Sequence, residues 1–279
     1  MYGIGGPRMQ SQGFDALWPS DKLAVRGYVE VLRHYREIVG IRKQLKTQLL
    51  AKPPNVFVGV DAPDFNLDLE RDLKQAGIPT VHFVCPSIWA WRADRIEKIK
   101  QSVDHVLCIF PFEVDLLHAH GIDATYVGHP LAQVIPMHPD TLKARHDLKL
   151  DPSRPVVALL PGSRESEITY LAARFFQTAN LLIQQQANLQ FVLPAMPAMK
   201  ARIESIRDQM GACHVQILSG QSHAALAACD VTLIASGTAT LEAALFKKPM
   251  VIAYNMNWLS WQLMKRKKLQ PWVGLPNID

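Results

Sequence analysis

Short, almost uninterrupted apolar runs recur along this chain, each followed by a longer amphipathic stretch. The runs lie at 56–60, 80–84, 103–110 and 124–127, and again at 156–160, 189–193, 215–218, 231–235 and 250–254. Between them, 67–75, 93–102 and 113–120, then 167–185, 199–210, 222–228 and 240–246 read as helices. A strand that is apolar throughout, rather than at alternate positions, is covered on both faces. In a strand–helix alternation that means a parallel sheet with helices on either side. The rhythm breaks once, from Pro136 to Pro155, where proline and charge dominate. We read that stretch as a linker carrying one short helix, and the chain as two Rossmann-like domains, 1–145 and 146–279. Paired domains of this kind bind ligands in the cleft that they face, near the carboxyl ends of their strands.

The composition agrees. Of 279 residues, 48% are hydrophobic and 20% charged, enough to build a core and inconsistent with disorder. Thirty basic against 25 acidic residues give a net charge of +5, dispersed along the chain rather than gathered in a stripe, which argues against nucleic acid. Cys85, Cys108, Cys213 and Cys229 form no Cys-x-x-Cys pair, which excludes a disulfide scaffold and a zinc module. The uncharged stretch between Arg174 and Lys200 holds several glutamines and two prolines, unsuited to lipid. Its opening residues have neither the basic start nor the apolar length of a signal peptide, which predicts a cytoplasmic protein.

Five segments carry candidate chemistry. Leu160-Pro-Gly-Ser-Arg-Glu-Ser-Glu167 follows a strand and opens a helix. Gly162 admits a ligand close to the backbone, free N–H groups at the helix start favour an anion, and Arg164 adds a fork for phosphate. The same residues also suit an ordinary turn in which Ser163 caps and Glu167 stabilises the first helical turn. Ala235-Ser-Gly-Thr-Ala-Thr-Leu-Glu242 repeats the strand-to-helix passage. Ser236, Gly237 and Thr238 suit a second phosphate and Glu242 ribose hydroxyls, or else an N-capped helix with Glu242 on its surface. Together the two segments read as a nucleoside-diphosphate site. Val58-Gly-Val-Asp-Ala-Pro-Asp-Phe-Asn66 puts two carboxylates just past a strand end, with Asp61 or Asp64 as a general base. Turn chemistry with a helix cap at Asp64 is the alternative. No Asp-x-Asp pair occurs, so no metal is expected at the diphosphate. Cys85-Pro-Ser-Ile-Trp-Ala-Trp-Arg92 offers Trp89, Trp91 and Arg92 to an acyl or sugar pocket, or to packing. His129 is a second-rank candidate at another strand end. Trp258 and Trp261 precede four cations at 265–268, a pattern that suits an anionic membrane surface or a packed helix with a basic end; 26–32 and 35–39 add a similar stretch.

In order along the chain, Gly5-Gly-Pro-Arg-Met9, Gly59-Val-Asp-Ala-Pro-Asp-Phe-Asn66, Pro86-Ser-Ile-Trp-Ala-Trp-Arg92, Pro111-Phe-Glu113, Val127-Gly-His-Pro130, Leu160-Pro-Gly-Ser-Arg164, Ser236-Gly-Thr-Ala-Thr-Leu-Glu242 and Leu275-Pro-Asn277 resemble the bacterial lipid-A-disaccharide synthase family. The resemblance implies a GT-B glycosyltransferase fold. It implies condensation of UDP-2,3-diacylglucosamine with 2,3-diacylglucosamine 1-phosphate, with inversion, and with neither cofactor nor metal. It places such an enzyme at the cytoplasmic face of the Gram-negative inner membrane, with a homodimer among its assemblies. By position, Asp61 matches the family's proposed base, Arg164 the arginine at the UDP phosphates and Asn277 an asparagine of the nucleotide site. Glu242 resembles the ribose-binding glutamate of related GT-B transferases. The family pattern also implies that a first strand and its loop precede residue 1 and that further helices follow residue 279, so the chain reads as a fragment. Two rivals stand beside this reading: another UDP-sugar GT-B transferase or epimerase, and a nucleotide- or lipid-binding fragment without turnover.

Overall fold

The computed structural model describes residues 1–19, 28–89 and 95–255, with side chains from residue 35 onward in the second range. The chain divides into two units, Met1–Gly128 and His129–Asp279.

In the first unit, β3 (Phe57–Val60), β4 (Thr80–Phe83), β5 (His105–Cys108) and β6 (Ala124–Tyr126) form a parallel sheet in that order. Helices α3 (Pro63–Gln75), α4 (Ile96–Ser102) and α5 (Pro111–His118) connect them. Helix α3 is sandwiched because it carries two apolar faces. Phe65, Leu69 and Leu73, spaced by four, meet Ile41, Leu45 and Leu49 of α2 (Tyr28–Ala51). Leu67 joins Ile96 and Ile99 of α4 in a second cluster. The Gly-rich start is a strand. β1 (Tyr2–Gly5) pairs in parallel with β2 (Asp15–Pro19) across α1 (Pro7–Gln10). Tyr2, Ile4, Leu17 and Trp18 pack on the α2–α3 cluster. Gly5 is needed there: a β-carbon would lie 2.7 Å from the Phe14 ring.

The second unit contains α6 (Pro130–Val134) and α7 (Thr141–Asp147), then β7 (Val156–Leu160), α8 (Glu165–Gln185), β8 (Gln190–Ala195), α9 (Lys200–Gln209), β9 (Val215–Ser219), α10 (Ser222–Ala228), β10 (Val231–Ala235), α11 (Ala239–Leu245) and β11 (Met250–Ala253). The five strands are parallel in the order β11-β10-β7-β8-β9. Strand β7 is buried along its whole length because its side chains alternate between two cores. Val156, Ala158 and Leu160 face α7 and α10, whereas Val157 and Leu159 face α8.

Residues 129–145, grouped by sequence with the first domain, belong to the second unit. The buried Arg145 guanidinium places Nη2 2.8 Å from both carboxylate oxygens of Asp230, while Nε and Nη1 donate to the carbonyls of Ala228 and Pro152. Ile135 enters the same core, and Lys247 donates to the Met137 carbonyl. The proline-rich stretch that reads as a linker is thus bound to this unit's surface.

Candidate active site

The order of the second sheet creates a switch point. From β7 the chain winds outward through β8 and β9, then returns to the other side of β7 as β10 and β11. Between β7 and β10 the winding direction changes, and doubly wound sheets bind ligands beyond the carboxyl ends at such a switch. Leu160 is registered with Ile234, so the two predicted phosphate segments leave neighbouring strand ends.

Gly162 has φ +122°, and a β-carbon there would lie 2.5 Å from Glu167 Cβ. Both facts require glycine. The fold closes this tightly so that Glu167 can reach back. Its Oε2 accepts from the backbone N–H of Ser163 at 2.9 Å and of Arg164 at 3.2 Å, and its Oε1 from Arg164 Nη1 at 3.3 Å. Of the two readings that the sequence allows, N–H groups free for an anion or a turn stabilised by Glu167, the second describes their bonding here. They are satisfied by a carboxylate of the same chain, a capping box at the head of a long helix. The place that favours an anion therefore holds one. The Arg164 side chain is 62% exposed and is available to a ligand from its open side. Tyr254, following β11, lies in the same field: burial pushes its hydroxyl pKa up, Glu167 adds to the rise and Arg164 opposes it.

Around the second loop, the Ser236 N–H extends the sheet to Ala253, and Thr240 Oγ1 donates to the Gly237 carbonyl at 2.7 Å. Thr238 stands at the head of α11 without capping it through its side chain. Glu242 lies 3.4 Å from His223 Nε2, and the His223 ring stands edge-on to Phe246. Sequence reading passed over His223, which only the fold brings beside Glu242.

In the first unit, the two aspartates left open by sequence are in different situations. Asp64 is paired with Arg95 and sits in the first turn of α3. Asp61 is exposed, and its carboxylate makes no hydrogen bond or ion pair among the described residues. Its backbone has φ +49°, Ala62 follows at +43°, and Val84, past the adjacent strand end, is at +76°. Left-handed conformations at non-glycine residues cost about 1–3 kcal/mol each, the most at a β-branched residue, and they gather where function demands them. Here they gather at the carboxyl ends of β3 and β4. Asn66 holds the loop, donating to the Asp61 carbonyl at 2.8 Å and the Val60 carbonyl at 3.3 Å.

Trp89 is half-buried. Its indole N–H is directed at Glu113 Oε1, 3.1 Å away, and its ring meets Phe112 edge-on. Burial raises the Glu113 carboxyl, against the hydrogen bonds from Trp89 and from the Phe110 N–H. Glu113 also lies beside Cys85 and Cys108, whose donor atoms are within 4.8 Å of its own, the one potential metal-ligand cluster among the described residues. Hydrogen bonding with Cys108, then burial and the Glu113 charge, push the Cys85 thiol well up, which keeps it protonated. His129 serves as a cap: its Nδ1 accepts from the Leu131 N–H at 3.1 Å, and burial lowers its pKa. Trp91, Arg92, Trp258, Trp261 and Asn277 lie outside the described residues. Among those described, no helix is long and apolar enough to cross a membrane.

The chain resembles known proteins both in sequence and in fold. A family model described as lipid-A-disaccharide synthetase matches residues 1–278. The lipid-A-disaccharide synthase of Albidiferax ferrireducens is 67% identical over 278 residues, which are 99% of this chain and 72% of that protein. The enzyme of Verminephrobacter eiseniae is 60% identical over the same shares. Among solved structures, the UDP co-structure of S. aureus MnaA aligns with a TM-score of 0.61 at 12% identity, covering 92% of this chain and 79% of that one. The UDP-GlcNAc 2-epimerase of Neisseria meningitidis, solved with UDP-GlcNAc, aligns at 0.60 and 10%, covering 92% and 83%. At such identities these structures speak for the fold, two parallel α/β units of the GT-B type. The family match sets aside the epimerase rival. The chain belongs to the lipid-A-disaccharide synthase family, glycosyltransferases that condense UDP-diacylglucosamine with diacylglucosamine 1-phosphate in lipid A biosynthesis.

Proposed function

We propose that the loops after β7 and β10 hold the UDP of the donor, and that Asp61 is the general base. The observation that carries the first part is the switch point, with Arg164 at the head of α8 and the small residues of 236–238 on the next strand end. Arg164 and the positive end of the α8 dipole stabilise the negative charge that grows on the departing diphosphate. Gly162 and Ser163 shape that seat, Ser236, Gly237 and Thr238 line its second side, and Glu242 takes ribose hydroxyls. Asn277 joins the nucleotide site by its family position. Asp61, not the ion-paired Asp64, removes the proton from the acceptor hydroxyl as that oxygen attacks the anomeric carbon, with inversion. With no Asp-x-Asp pair in the sequence, the cationic side chain and the helix terminus serve in place of a metal.

Both substrates carry acyl chains. The tryptophan-plus-basic stretch at 258–268 and the Trp89–Arg92 segment suit contact with the cytoplasmic face of an anionic inner membrane, where the enzyme sits peripherally. A homodimer is part of the same proposal. Titration of the chain with UDP by calorimetry tests the phosphate assignment. Arg164→Ala should weaken UDP by about 10- to 100-fold, the range of a charge-assisted pair. An unchanged affinity would remove Arg164 from the site.

A further inference from the structure

Beneath the Asp61 loop lies a buried polar pair that the transfer reaction does not itself require. His82 on β4 is registered opposite Gly59 on β3. Glu70, one turn beyond Asn66 on α3, reaches back over Gly59, and its Oε1 lies 2.8 Å from His82 Nδ1. Both side chains are fully buried. Gly59 exists to admit them, because a β-carbon there would overlap the Glu70 carboxylate and lie 3.2 Å from Asn66 Cβ. Glu70 Oε2 and His82 Nε2 have no hydrogen-bond partner among the described residues. Two apolar side chains would fill this space without desolvating a carboxylate and an imidazole, so a buried pair kept here calls for a reason other than stability.

The pair's neighbours supply the reason. Asp61 is gripped from two sides: its N–H bonds to the carbonyl of Phe83, next to His82, and its own carbonyl accepts from Asn66, one turn from Glu70. The three left-handed residues Asp61, Ala62 and Val84 begin where these grips end. Strained backbone of this kind persists only where its surroundings over-determine it. The pair ties α3 to β4, and Asn66, on the same helix, bonds the loop.

We infer that Glu70 and His82, acting through Asn66, are positioning residues that hold Asp61 in its strained conformation and thereby set the rate of transfer. This rests on the reading of Asp61 as the base. Its chemical content is specific: the hydrogen bond between carboxylate and imidazole matters, not the volume it fills.

The test compares Glu70→Leu, which keeps the volume and removes the bond, with Glu70→Gln, which keeps an acceptor for Nδ1–H. Disaccharide formation, UDP affinity and thermal unfolding are measured for both, with Asp61→Asn in parallel. Glu70→Leu should lower kcat at least 10-fold, with KM for the UDP donor and UDP affinity within twofold of the parent. Glu70→Gln should restore most of that loss. In an Asp61→Asn background Glu70→Leu should add no further loss, since there is no base left to position. A folded Glu70→Leu protein with parental kcat would overturn the inference. If Glu70→Leu does not fold, Asn66→Ala takes its place with the same expectation, and a folded Asn66→Ala protein of parental kcat overturns it equally. Parental turnover in Asp61→Asn would instead refute the base assignment and is read separately.

Discussion

Replacing Gly162 by alanine tests whether the loop proposed to hold the diphosphate is shaped by its backbone. At φ +122° an L-residue is strained, at about 1–3 kcal/mol. The added methyl would meet Glu167 Cβ at 2.5 Å and Cδ at 3.1 Å. Cβ is anchored to the helix backbone and cannot swing aside, so the first turn of α8 must shift, adding about 1–3 kcal/mol. A shifted Glu167 no longer reaches the Ser163 and Arg164 N–H groups, the equivalent of a lost cap at about 0.5–2 kcal/mol. These contributions overlap, and we expect a total of about 3–6 kcal/mol, a large share of a domain's stability. Hydrogen exchange at the amides of β7 and α8 reads the loss directly. A destabilisation of that size should speed exchange by about 100-fold or more, while β3 and β4 of the first unit keep their protection. UDP affinity should fall at least tenfold, because Arg164 leaves with the loop. Exchange within about fivefold of the parent, together with unchanged UDP affinity, would show that neither the conformation nor the Glu167 contact constrains this loop.

Glu167→Gln keeps a capping oxygen but removes the charge that, on the proposed placement of UDP, the donor's diphosphate approaches. Near a surface, two unit charges about 4 Å apart interact by about 1–4 kcal/mol, so UDP should bind at least about fivefold tighter at low salt, with the gain shrinking as salt rises. Equal or weaker binding at low salt would contradict the competition. Glu113→Gln tests the buried carboxyl. Because burial raises the Glu113 pKa above its ordinary 4.5 in the folded protein, the native state holds its proton to higher pH than the unfolded chain does. Parental stability relative to Glu113→Gln should therefore fall as pH rises through and above that ordinary value. Parallel stability–pH curves for the two proteins would refute it.

Much of the fold is legible in the sequence because its strands are covered on both faces. The run 156–160 reads as a buried strand since α7 and α10 cover one side and α8 the other. Strand β1 escapes such a reading, since two of its four residues are glycines and its partner β2 is only partly buried. The domain boundary misleads for a related reason: proline and charge mark an exposed surface, and Arg145 and Lys247 hold that surface to the second unit. At the site, Gly162 and Arg164 are visible as a pattern, and so is Glu167 as a helix-start residue. That its carboxylate takes the anion's seat depends on the sharp turn at Gly162. Sequence leaves Asp61 and Asp64 equivalent. Arg95, 31 positions beyond Asp64, separates them, and no local pattern encodes that pairing. Glu70 and His82 are invisible for the same reason, since they meet only when α3 folds back over the neighbouring strand.

The most direct test of the account is single-turnover disaccharide formation from UDP-2,3-diacylglucosamine and 2,3-diacylglucosamine 1-phosphate, comparing the chain with Asp61→Asn. The parent should release one UDP per disaccharide formed. Asp61→Asn should lose about 100-fold or more, the lower range for a lost general base, with UDP affinity within twofold of the parent. Asp61→Asn turning over at the parental rate would contradict the account.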